Sequence, residues 1–116
     1  MSETQIHDLE TWRQAVQTHQ RILLFKHSPI CPTSATAHGA WRAFRAAHPD
    51  VPTLFVDVVG SRSVSRELAQ ACGVMHQSPQ AILFQDGEAC WDASHWHISE
   101  ESLTEAWTSS EPSPSS

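Results

Sequence analysis

Three thiols, Cys31, Cys72 and Cys90, carry the most versatile chemistry in this 116-residue chain. Their number is odd and no two stand in Cys-x-x-Cys spacing, so they do not read as the disulfide framework of a secreted domain. A zinc site would need more sulfur or nitrogen ligands at tight spacing. Each cysteine is therefore either a small buried hydrophobe or a nucleophile, and position has to separate the two. Cys31 lies in the stretch His27-Ser-Pro-Ile-Cys-Pro32, where Pro29 and Pro32 forbid helix through most of the segment. A helical pattern begins directly afterwards. A thiol at such a junction faces free backbone N–H groups and the positive end of the helix dipole, which favour thiolate over thiol. The thiolate is the nucleophile of disulfide exchange, so Cys31 is the expected reactive sulfur rather than an inert buried one.

The residues around Cys31 fit that chemistry. Pro32 occupies a first-turn position where its missing N–H costs nothing. Ser34, three residues on, is placed to offer a hydroxyl to the thiolate. A dithiol protein carries its resolving cysteine at this spot, and a serine cannot resolve, so a mixed disulfide on Cys31 must wait for an external thiol. Lys26 and His27 lie just upstream; Lys26 reads first as a solvated charge at a strand end, with added positive potential at the thiol as its alternative. Ser78-Pro79 is the second element of the site. An X-Pro bond there, read as cis rather than as a trans strand marker, sets the Ser78 backbone beside the reactive loop to dock an extended substrate chain. Ile30 and Thr33 complete the expected substrate-binding surface.

The other candidates are weaker. Cys72 falls on the apolar side of a helical stripe and reads as core, with a distant resolving thiol as its alternative. Cys90, between Ala89 and Trp91, also reads as core. His95 and His97 alternate as strand neighbours would, but two histidines without a third ligand do not make a metal site, and no metal is expected.

The elements that must position Cys31 follow from periodicity. Ile6, Leu9, Trp12 and Val16 predict a helix over Asp8–Gln20 with Asp8 as N-cap. The unbroken apolar run Arg21–Phe25 predicts a strand buried on both faces. Ala37, Trp41 and Phe44 give one face of a helix over Thr33–Ala47. Thr53–Val58 predicts a second buried strand, and Val64, Leu68 and Ala71 a third helix ending near Gly73. Ala81–Phe84, the Asp86-Gly87 turn and Ala89–Ala93 form a hairpin. Ser99 caps a last helix, whose positive end Glu100 and Glu101 complement and whose inner face Leu103 and Trp107 supply.

The order α-β-α-β-α-β-β-α places the first two strands parallel through a right-handed crossover and the last two antiparallel. The expected fold is α/β and thioredoxin-like, a four-stranded mixed sheet flanked by helices over residues 1–108. Residues 109–116 are expected to form a disordered Ser/Pro-rich tail.

Composition narrows the function class. Net charge is −6, with thirteen acidic residues against seven Lys and Arg, which argues against nucleic acid or an anionic membrane surface as partner. No apolar run approaches the ~20 residues of a membrane span, and the start lacks the basic and apolar regions of a secretory signal. The expected address is cytoplasmic.

The segments Cys-Pro-Thr-Ser (31–34), Gln-Ser-Pro-Gln (77–80) and Ala-Ser-His-Trp-His-Ile (93–98) resemble the monothiol bacilliredoxin family, the YtxJ-like proteins. The likeness runs from the first helix to Trp107. The family motif is commonly Thr-Cys-Pro-Ile-Ser; here it stands as Ile30-Cys31-Pro32-Thr33-Ser34, with thiol, proline and serine kept and two flanking positions changed. The resemblance implies a monothiol thiol-disulfide oxidoreductase that removes bacillithiol, or a similar low-molecular-weight thiol such as glutathione, from protein cysteines. The small thiol would be a co-substrate, no cofactor would be bound, and S-thiolated client proteins would be the partners. Two other readings stand beside it. One is a peptide-binding module with a non-catalytic Cys31, and the other is a dithiol protein using Cys72 as resolver.

Overall fold

The computed structural model describes residues 3–110. Ten elements alternate along the chain. They are β1 (Glu3–Gln5), α1 (Leu9–Thr18), β2 (Arg21–His27), α2 (Pro32–Ala47), β3 (Thr53–Asp57), α3 (Arg62–Cys72), β4 (Gln80–Gln85), β5 (Glu88–Ser94), a single 3-10 turn (His95–His97) and α4 (Glu100–Ser109). The strands form one mixed sheet in the order β1-β3-β2-β4-β5. β2 runs parallel to β3 and antiparallel to β4, which fixes the C-terminal end of β2 and the N-terminal end of β4 at the same end of the sheet.

The central strand shows why the chain folds this way. Side chains alternate across a strand, so β2 sends Ile22 and Leu24 to one face and Leu23 and Phe25 to the other, all nearly inaccessible to solvent. On the first face they meet Trp12 of α1, Val64 and Leu68 of α3, and Leu54, Val56, Ile82 and Phe84 of neighbouring strands. On the second they meet Ala37, Trp41 and Phe44 of α2, Leu103 of α4, and Ala81 and Leu83. Burying each such side chain contributes about 1.5–3 kcal/mol before conformational entropy is set against it. Arg21, at the start of β2, lies 3.8 Å over the Trp107 ring and donates to the Trp107 carbonyl at 2.6 Å, tying α4 to the sheet.

The sheet has five strands rather than the four expected. β1 is Glu3-Thr4-Gln5, three exposed polar residues that hydropathy cannot distinguish from a loop. Backbone pairing to β3 makes it a strand, with Glu3 opposite Thr53. Ile6 belongs to this extended segment and not to the first helix: its N–H bonds the Phe55 carbonyl at 2.7 Å, and the helix is capped later, by Asp8 accepting from the Thr11 N–H at 2.8 Å. Glu3 also reaches α2, accepting from Trp41 Nε1 at 2.9 Å.

In α3 the inward stripe is Val64, Ser65, Leu68 and Cys72, whereas Ala71 is exposed. Gly73, at φ 73°, ends the helix in the left-handed region as expected. The hairpin turn places Asp86 at φ 53° and Gly87 at φ 83°, the pair of positive angles that an Asp-Gly turn supplies. β5 then departs from simple alternation. Phe84 pairs with Ala89 and Leu83 with Trp91, leaving Cys90 as the extra residue of a bulge. The bulge sends Ala89 to the α1/α3 side and Trp91 to the α2/α4 side, and it turns Cys90 out to solvent. Cys90 is therefore not core.

α4 begins with a reciprocal cap: Ser99 Oγ accepts from the Ser102 N–H at 3.0 Å, and Ser102 Oγ accepts from the Ser99 N–H at 2.9 Å. Ser99→Ala should cost about 1 kcal/mol of stability, read as a lowered urea midpoint at unchanged slope; no change would show that packing alone holds α4. The helix continues through Ser109, past the expected boundary at 108, and the remainder of the expected tail, 111–116, lies outside the described residues. No helix of the described residues is long and apolar enough to cross a membrane.

Candidate functional site

Cys31 is the N-cap of α2, half-buried, with Pro32 at the first helical position. The loop arriving from β2 is closed by the Cys31 N–H, which bonds the Ser28 carbonyl at 3.1 Å. The Cys31 carbonyl receives the N–H groups of Ser34 (3.0 Å) and Ala35 (3.2 Å), so the backbone of this residue already belongs to the helix. Its side chain makes no cap hydrogen bond. The sulfur is thus left at the positive end of a 16-residue helix, free to react.

Ser34 does something other than expected. It is fully buried, its Oγ accepts from the Ser28 N–H at 2.9 Å, and it lies 2.8 Å from His27 Nδ1. The hydroxyl braces the loop that carries Cys31; no hydrogen bond from it to Cys31 is found among the described residues. His27 in turn stacks in an aromatic group with Phe25, His38 and Phe55, its ring 4.5 Å from that of His38. Burial pushes the pKa of His27 down, with Asp57 opposing. His38 is lowered by burial and then by His27 and Arg42. Alternation contains the signal for this group, since Phe25 and His27 share a strand face and His38 follows Ser34 by one helical turn.

Lys26 is not a solvated strand-end charge. It is 1% exposed, on the α1/α3 face of β2, and its Nζ donates to Gln80 Oε1 at 3.1 Å. Burial pushes its pKa down to about 8, with Cys72 nearby opposing the shift. Gln80 passes the connection on, donating from Nε2 to the Met75 carbonyl at 3.1 Å. A buried cation is thereby linked to the segment that leads into Pro79.

The Ser78-Pro79 bond is cis, as expected, and Pro79 is buried. The Pro79 carbonyl accepts from the His95 N–H at 3.1 Å, which ties the 3-10 turn to the same corner. Lys26 pairs with Gln80 and Gln80 with Ser94 across the sheet. The loops bearing Ile30-Cys31, Ser78-Pro79 and His95–His97 therefore leave one end of the sheet together. Three large apolar side chains, Ile30, Met75 and Trp96, stand exposed on these loops at 79%, 78% and 74%. His95 takes a positive φ of 53°, and the pair His95/His97 sits on the turn instead of alternating along a strand. Among the described residues no group of three or more His, Cys, Asp or Glu side chains is gathered as a metal site. Cys72 is half-buried and packs with Val74 against the α1/α3 cluster, as a core cysteine would.

A mixed five-stranded sheet with helices on both faces, a thiol at the start of α2 and a cis-proline loop at the same sheet end define a thiol-redox protein of the thioredoxin fold. Solved structures agree. A thioredoxin-fold protein provisionally described as an oxidoreductase is similar at TM-score 0.84 and 28% identity, covering 90% of this chain and 93% of its own. Mitochondrial thioredoxin 3 from Saccharomyces cerevisiae is similar at TM-score 0.73 and 18% identity, with 91% and 93% covered. A mutant thioredoxin from Halobacterium salinarum is similar at 0.75 and 19%, with 97% and 95% covered. The family described as "Monothiol bacilliredoxin BrxC" matches residues 4–103, and the chain belongs to it.

Proposed function

We propose that this protein removes bacillithiol, or a similar low-molecular-weight thiol, from mixed disulfides on protein cysteines, using Cys31 as its single nucleophile. The observation that carries the reading is the pairing of a half-exposed thiol at the N-cap of α2 with a buried serine, not a second thiol, three residues further on. The Cys31 thiolate attacks the small-thiol sulfur of the client's mixed disulfide. That S–S bond breaks, the client cysteine leaves as thiolate and takes a proton from water, and a new disulfide joins Cys31 to the small thiol. A second small thiol, as thiolate, then attacks this disulfide, releasing the oxidised small-thiol dimer and returning Cys31 to its reduced form.

Client docking is supported by exposed Ile30, Met75 and Trp96, an apolar rim on the loops around Cys31. Ile30, Thr33 and the Ser78-Pro79 backbone would receive the client chain. The small thiol acts as co-substrate and no bound cofactor takes part.

The test offers bacillithiolated and glutathionylated proteins to the wild type and to Cys31→Ser. Release of the small thiol by the wild type, and none by the variant, is the expected result. Release that survives the substitution, or none from either substrate, overturns the reading. Peptide mapping after oxidation should find no Cys31–Cys72 disulfide.

A further inference from the structure

A small cavity of about 310 Å³ opens between the β3–α3 loop and the segment before Pro79, lined by Val58, Val59, Arg62, Ser65, Arg66 and His76. Its location connects it to the reactive end: the Val58 N–H bonds the carbonyl of His27, the residue from which the Cys31 loop departs, at 2.9 Å. Three features give it one chemistry. First, Arg62 and Arg66 stand one helical turn apart, and Lys26 lies close enough to join Arg66 in pushing the His76 pKa down, behind partial burial as the larger cause. Three of the seven Lys and Arg residues of a chain of net charge −6 thus gather at one corner. Second, the cavity lies at the start of α3, an 11-residue helix whose cap residue, Ser61, makes no side-chain cap hydrogen bond, so the dipole and the first-turn N–H groups are not answered by a capping oxygen. Third, Ser65 is 2% exposed and its Oγ has no hydrogen-bond partner. A buried hydroxyl left unpaired is costly, and in mid-helix it would ordinarily bond back to the preceding turn. Asp57, at the end of β3, has Oδ1 occupied by the N–H groups of Val59 (2.9 Å) and Gly60 (3.0 Å).

We propose that this cavity is the carboxylate-binding subsite for the small thiol exchanged at Cys31, with Arg62 and Arg66 pairing the carboxylate and the Ser65 hydroxyl donating to it. The proposal rests on the dethiolation reading, because it supplies the part of that reading which selects the small thiol. Glutathione and bacillithiol both carry carboxylates besides their thiol. A guanidinium pair holds a carboxylate in fork geometry, leaving the sulfur to reach toward the Cys31 loop.

The experiment separates binding from catalysis by using Cys31→Ser protein, titrated with glutathione, with bacillithiol, with the diethyl ester of glutathione, in which both carboxylates are masked, and with inorganic phosphate, followed by amide chemical shifts. The free acids should shift Val64, Ser65 and His76. The ester should bind roughly tenfold more weakly, as expected for loss of a charge-assisted contact. Arg62→Gln combined with Arg66→Gln should weaken the free acids by a similar factor and leave the ester unchanged. Equal binding of acid and ester, shifts confined to other regions, or phosphate binding as tightly as the thiols would each overturn the subsite. With Cys31 intact and one common regenerating thiol, the double variant should lower kcat/KM about tenfold for a glutathionylated client and leave it unchanged for the same client carrying 2-mercaptoethanol, which has no carboxylate; equal losses with both clients would instead mark a structural role and overturn the proposal. If the wild type failed to release any small thiol while the acid-specific shifts persisted, the dethiolation reading would fall and the anion site would stand.

Discussion

Ser34→Cys should convert the protein from one that holds a small thiol on Cys31 into one that expels it and closes an internal disulfide. The introduced thiol would sit one helical turn into α2 from Cys31, and Cα atoms three apart on a helix lie about 5 Å from each other, inside the Cα separation of roughly 4.4–6.8 Å that a disulfide spans. After reaction with a glutathionylated client, the wild type should show by intact mass the adduct on Cys31. The variant should show no adduct and the loss of two hydrogen atoms. The change also has a structural cost. Ser34 Oγ is the acceptor for the buried Ser28 N–H and the partner of His27 Nδ1, and sulfur accepts poorly. The reduced variant should lose about 1–3 kcal/mol in stability, visible in urea unfolding. Persistence of the glutathione adduct in the variant would mean that serine is not what makes the site monothiol.

Much of this arrangement was legible from spacing. The spacing of Ala37, Trp41 and Phe44 predicts one helical face, and all three are buried against the sheet. The chain order of elements placed Cys31 at a strand-to-helix junction, and Ser78-Pro79 is cis as read. What hydropathy could not show is structure made by the backbone alone. β1 is three polar residues held by pairing to β3, and the bulge at Cys90 exists because Ala89 and Trp91 must face opposite cores, which no local pattern of the strand reveals. Polar partners are hidden for the opposite reason: they depend on how separate segments meet. Lys26 finds Gln80 across the sheet, and the Ser34 hydroxyl meets Ser28 and His27 where the loop folds back on the start of α2. A propensity scale assigns lysine to the surface; only the pairing of β2 with β4 shows that this one is enclosed.

Lys26→Met should raise stability at neutral pH and abolish an alkaline rise that the wild type shows. Lys26 is 1% exposed and meets a neutral amide oxygen in Gln80; the one ion pair between acidic and basic side chains among the described residues joins Arg45 and Glu3, elsewhere in the fold. Its pKa falls from 10.5 to about 8, chiefly by burial. The sign follows from linkage: the folded state holds the proton less tightly than the unfolded chain, so burial of the charge weighs fully against folding below pH 8 and fades as pH climbs from 8 through 10.5. The shift corresponds to an increase on the order of 3 kcal/mol across that window. The sequence makes the measurement clean. Lys26 is the only lysine and the chain has no tyrosine, and thiol-specific blocking takes the cysteines out of the comparison. A methionine of similar length fills the site without a charge, and replacing a buried ion by a well-packed apolar group is frequently stabilising. Urea unfolding from pH 7 to 10.5 decides the matter: a rising curve for the wild type and a flatter, initially higher one for Lys26→Met is expected. Parallel curves would show that Lys26 is not the group that titrates. A variant less stable than wild type throughout would show instead that the Lys26–Gln80 link, which anchors the segment before Pro79 through the Met75 carbonyl, contributes more to folding than the buried charge costs.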